Sequence, residues 1–110
     1  VKSVSLDTIL TFTGPVRLLK MDCEGSEFPI LLTATKLHLV EEICGEFHEM
    51  GGLFDGNSIP DAARVEGYPA YGIGELFLFL NAAGFRVIYE RSALPDGRPC
   101  NLGHFWAKRV

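Results

Sequence analysis

The stretch Leu18-Leu19-Lys20-Met21-Asp22-Cys23-Glu24-Gly25-Ser26-Glu27 constrains this chain most. An apolar run ends abruptly in charge. Val16 to Met21 read as a strand buried on both faces, because apolar side chains occupy both of its alternating sets. Asp22 and Glu24 follow at its C-terminal end, Gly25 supplies a turn, and Ser26 is placed to cap a following helix. Ligands of open parallel α/β sheets bind beyond the carboxyl ends of the strands. Three carboxylates and a lysine in that position read as a site. The competing reading is a strand-to-helix turn whose acidic residues suit a helix N-terminus.

A second stretch repeats the design. Glu42-Ile43-Cys44-Gly45-Glu46-Phe47-His48-Glu49 has apolar positions first, then Glu46 and His48 where a strand should end. Alternation puts Glu46 and His48 on one face. If this strand lies beside the first, Asp22 and Glu46 stand roughly 5 Å apart, the usual strand spacing. The result is one acidic pocket with a histidine at its rim.

At 110 residues the chain is one small domain with a real core. Its net charge of −4, without a Lys/Arg cluster, gives no electrostatic ground for nucleic acid or an anionic membrane as partner. The longest apolar run, Leu76 to Leu80, is far too short to span a bilayer. Cys23, Cys44 and Cys100 form no C-x-x-C pair, so a zinc site of ordinary spacing is not expected, and reduced thiols in a cytoplasmic protein are.

Taken in order, Val1 to Ser5 suggest a short strand, Leu6 to Leu10 a brief helix broken by Gly14-Pro15, and Phe28 to Leu32 a second helix with Pro29 in its first turn. Thr33 to Leu39 read as helix or turn, with Lys36 and His38 outward, and Glu41 to Phe47 as the second strand. Glu49 to Tyr71 is a long connection of the kind used for lids, with one helical turn after Ser58-Ile59-Pro60-Asp61. Gly72-Ile73-Gly74-Glu75 is not a dinucleotide fingerprint, since Phe77 stands where the third glycine belongs. Gly74 to Ala83 is expected as a helix apolar almost all round and hence buried, ended by Gly84. Phe85 to Glu90 and Asn101 to Lys108 read as an antiparallel hairpin with a long loop around Pro95-Asp96-Gly97. His104 and Trp106 share one face, Phe105 and Ala107 the other, and all four read as packing.

Lys20-Met21-Asp22-Cys23-Glu24-Gly25-Ser26-Glu27 resembles the K-x-D-x-E-G-x-E signature of the FkbM family of S-adenosylmethionine-dependent methyltransferases. Ser5-Leu6-Asp7 resembles the Leu-Asp element that precedes that signature, and Glu46-Phe47-His48 the family's second acidic strand end. The resemblance implies an α/β fold: the C-terminal half of a Rossmann-like methyltransferase sheet, with parallel strands ending in an antiparallel hairpin. It also implies that the final strand inserts beside the second parallel strand. The strand and Gly-rich turn that open such a domain have no counterpart in residues 1–110, so this chain alone is expected to bind S-adenosylmethionine poorly.

On that reading the function is O-methyl transfer to a small-molecule or sugar hydroxyl. Asp22, Glu46 and His48 are the candidate catalytic residues, and Lys20 and Glu24 the candidate contacts to S-adenosylmethionine. Histidine is the side chain suited to move a proton near neutral pH. Lys20 also suits a structural ion pair with Asp22 or Glu46. Glu27 reads as a capping partner or dipole complement on the first helical turn. Asp22 with Glu24 or Glu46 offers oxygen ligands to a hard divalent ion such as Mg²⁺. The alternative is a catalytically inactive module with the same fold, and a third reading is a small metal-dependent hydrolase. The chain is further expected to self-associate through the edge of its first strand.

Overall fold

The computed structural model describes residues 4–52 and 58–110. Helix α1 spans Leu6–Thr13. Ser5 Oγ accepts the Thr8 N–H at 3.1 Å, and Gly14, at φ 68°, ends the helix in a backbone region that glycine adopts without strain. Leu6 and Leu10 are one turn apart and buried. Asp7 fastens α1 to the chain 28 residues on, accepting the Thr35 N–H (2.9 Å), the Thr35 hydroxyl (2.7 Å) and the Lys36 N–H (3.0 Å). Val4 and Ser5 lead into this helix and form no strand; the rest of the expected strand, residues 1–3, lies outside the described residues.

Four strands form one mixed sheet: β1 (Val16–Met21), β2 (Val40–His48), β3 (Phe85–Ala93) and β4 (Pro99–Arg109). Their order is β1-β2-β4-β3, so the last strand does insert beside the second parallel one. β1 and β2 run parallel, with Met21 opposite Gly45. β4 runs antiparallel to both β2 and β3. Helices α2 (Glu27–Leu32) and α3 (Ile73–Ala82) pack with α1 on one side. Met21, Ile43, Phe47, Val87, Phe105 and Ala107 meet Leu10, Phe28, Leu31, Leu76 and Leu80 in the core.

The other face of the sheet carries no layer among the described residues. Leu18 is therefore 50% exposed, Trp106 48% and Ile88 68%. The expectation that β1 is buried on both faces is thus corrected: it is an edge strand covered on one side only. The same reasoning corrects α3. Its Ile73, Leu76 and Leu80 are buried, but Leu78, on the far side, is 69% exposed. Nothing among the described residues packs outside it, so Leu78 stays in water.

Two other expectations need adjustment. The hairpin loop is short, because β3 and β4 continue to Ala93 and Pro99, and Leu94 and Arg98 close the turn with Gly97 at φ 88°. The long connection after β2 is tied down at its described ends. Met50 and Tyr71 exchange backbone hydrogen bonds of 3.0 and 2.8 Å, Ile59 joins the core, and Tyr71 stacks on Phe28 at 5.2 Å. The helical turn expected after Ser58 is present at Asp61–Ala63.

Candidate acidic cleft at the strand ends

The site is built by register. Because Met21 pairs with Gly45, the next residues, Asp22 just past the end of β1 and Glu46 within β2, stand at the same level. A Cβ at position 45 would run into the Met21 carbonyl, so glycine is what lets these strands approach here. β4 then places His104 opposite Glu46. Lys20, Met21, Asp22, Gly45, Glu46 and His104 line an open cleft of about 310 Å³ at the carboxyl end of the parallel pair. A second hollow of about 250 Å³ adjoins it through His104, with Ile88, Glu90 and Trp106 on its walls.

The structure brings three of the expected residues, Lys20, Asp22 and Glu46, into one cleft. His48 and Glu24 are not among those lining it. His48 Nδ1 lies 2.6 Å from Glu27 Oε1. Glu27 is fully buried, and its two oxygens accept the Gly25 N–H at 3.1 and 3.3 Å. Glu27 is therefore an internal anchor rather than a solvated complement to a helix end. It ties the turn after β1 to the end of β2. That turn runs Cys23–Ser26, closed by Ser26 N–H to Cys23 O at 3.2 Å, with Glu24 at φ 48° and Gly25 at φ 104°. The Ser26 side chain makes no capping bond, which corrects the expected cap. Glu24 stands exposed on the turn.

His104 is the site residue that reading the sequence missed. The signal was present: alternation put His104 on the face opposite Phe105, and the expected strand order put it beside β2. Away from the cleft, Glu49 is a second buried carboxylate. It accepts the Ile73 N–H at 2.8 Å at the start of α3 and pairs with Arg91, a hydrogen bond that pushes the Arg91 guanidinium above its ordinary range. Among the described residues no three His, Cys, Asp or Glu side chains are grouped to hold a metal ion, so the Mg²⁺ and hydrolase readings find no geometric support.

The family model described as the methyltransferase FkbM domain matches residues 1–87, and the chain belongs to that family. Lys20, Asp22 and Glu46 lie within the matched segment; His104 lies beyond it. No curated protein and no solved structure matches the chain significantly. No helix among the described residues is long and apolar enough to cross a membrane.

Proposed function

We propose that this chain forms the acceptor-binding side of a Rossmann-like, S-adenosylmethionine-dependent methyltransferase, and that the group methylated is a hydroxyl of a small molecule or sugar. The observation that carries the reading is the cleft itself: two residues of the family signature, Lys20 and Asp22, face Glu46 and His104 beyond the carboxyl ends of parallel strands. The charges suit the donor, which bears a carboxylate, an ammonium and a sulfonium. Lys20 matches the first. Bound, the donor supplies an already activated methyl group, so the protein's work is alignment and proton removal.

His104 is the group we assign to take the acceptor proton. Glu46 is its register partner directly across the β2–β4 pair. Asp22 orients the acceptor hydroxyl by accepting its hydrogen bond or that of a neighbouring hydroxyl. His48, bonded to Glu27, acts on the shape of the turn rather than on the acceptor. The three unpaired cysteines support a reducing, cytoplasmic setting. The test is transfer of a labelled methyl group from S-adenosylmethionine to a panel of sugars and aliphatic alcohols by the protein as its gene encodes it. Label in an ether linkage is the expected product. Label found only on nitrogen or carbon would overturn hydroxyl acceptance.

A second reading has its own observation. The open sheet face suits an interaction module that keeps the fold without catalysis. The same assay separates the two, because a module transfers no label.

A further inference from the structure

The acidic cleft does not stop at His104. That side chain also lines the adjoining hollow, whose walls include Ile88, Glu90 and Trp106. Register explains the sharing. Glu90, His104 and Glu46 form one cross-strand row, and Ile88, Trp106 and Cys44 the next. Residues two apart in a strand point to one face. Phe105 and Ala107 point the other way into the core, so Trp106 and Ile88 stay uncovered on the His104 side. The indole is held in place. Its Nε1–H donates to Glu42 Oε2 at 3.2 Å, and Lys108 Nζ lies 3.8 Å from Oε1 of the same carboxylate. A fixed, flat apolar surface therefore stands beside the residue assigned to take the acceptor proton.

We propose that this hollow is the acceptor subsite and that it takes the ring of a neutral sugar, its C–H face on Trp106 and one ring hydroxyl reaching His104. The inference rests on the methyl-transfer reading and adds a substrate class to it. Size limits the occupant. At about 250 Å³ the hollow falls below the roughly 300–1,000 Å³ of pockets for drug-sized ligands, so it suits a single ring. Charge limits it further. None of the residues lining the hollow is lysine or arginine, and Glu90 stands on its wall with Glu46 across His104. An anionic acceptor meets carboxylates there. A purely apolar ring covers those carboxylates without giving them a hydrogen bond, which costs free energy. A cationic acceptor is opposed once His104 has taken a proton and carries charge itself. A neutral sugar meets every demand: its C–H face covers the indole, and its rim of hydroxyls donates to Glu90 and Glu46.

Saturation-transfer difference NMR on the protein as its gene encodes it, with no methyl donor added, tests the subsite by itself. The probes are the methyl glycosides of glucose, galactose and mannose, compared with a glucuronide, a glucosaminide and benzyl alcohol. The expected result is saturation of the ring C–H protons of a neutral glycoside. Trp106→Ala should weaken its binding about tenfold or more, while Trp106→Phe, which keeps an aromatic surface, retains most of it. Ile88→Ser, at a largely exposed position, should weaken it by a smaller factor, and circular dichroism verifies that each variant is folded. In methyl transfer to the same glycoside, Trp106→Ala should raise KM about tenfold with kcat within about twofold, the pattern of binding lost equally from ground and transition states.

Saturation of none of the neutral glycosides overturns the proposal, as does binding indifferent to both Trp106→Ala and Ile88→Ser. Tighter binding of the glucuronide, the glucosaminide or benzyl alcohol overturns the sugar assignment. Glycoside binding that depends on Trp106, without methyl transfer to any hydroxyl, keeps the subsite and overturns the transfer reading. Transfer to hydroxyls with KM unmoved in Trp106→Ala does the reverse.

Discussion

A carboxylate without solvent contact must find its donors inside the protein, and Glu27 finds the Gly25 N–H and the His48 ring. His48→Ala should therefore destabilise the fold by roughly 1–3 kcal/mol, the cost of leaving a buried polar group short of a partner. Urea unfolding measures it, and a change under about 0.5 kcal/mol, the scatter of ordinary surface substitutions, would contradict the anchor role. Asp7 gives a pH prediction. The Thr35 hydroxyl bond, joined by the Thr35 and Lys36 N–H groups, holds its carboxyl below the ordinary range, against an opposing effect of burial. A depressed carboxylate stabilises the fold above its unfolded value, about 3.9, and that contribution is lost as pH falls below it through the folded value. Asp7→Asn should be less stable than the parent at pH 6, and the gap should close toward pH 2. A gap that stays constant across that range would show that Asp7 contributes by packing alone.

At the scale of elements, the β1–β2 approach at Gly45 is the feature on which the cleft rests. Gly45→Ala should cost about 1–3 kcal/mol through overpacking and should separate Asp22 from Glu46. A variant with unchanged stability and unchanged amide shifts at Asp22 would show that the strands have room to spare. Arg91→Met should be costlier, since it leaves the buried Glu49 with the Ile73 N–H as its one side-chain partner among the described residues: roughly 3–5 kcal/mol, read as a lowered urea midpoint. The strands themselves were legible because apolar alternation is local: Phe105 and Ala107 inward, His104 and Trp106 outward. What was not legible depended on layers. Leu18 and Leu78 are as apolar as their buried neighbours, and they stay in water because no described residue packs over them. Glu27 was misread for the same reason. Its position in the first helical turn suggests solvent, and burial follows only once the end of β2 places His48 against it. Asp22 and Glu46 were legible together because neighbouring parallel strands bring the residue after Met21 level with the residue after Gly45; His104 required the antiparallel return of β4.

Among the described residues the sheet has one helix-covered face and one bare face, with the acidic cleft where the bare face meets the carboxyl end of β1. The membership in the FkbM methyltransferase family and this placement support the same reading of the cleft as the place where acceptor and methyl donor meet. The most direct measurement is the rate of methyl transfer from labelled S-adenosylmethionine to the best hydroxyl acceptor, compared among the parent protein, His104→Ala, Asp22→Asn and His48→Gln, each verified as folded. The account predicts a loss of about 10²- to 10⁴-fold for His104→Ala, the range expected for removing a general base, a large loss for Asp22→Asn, and a modest one for His48→Gln. Near-parental turnover in His104→Ala, with the large loss in His48→Gln instead, would contradict it.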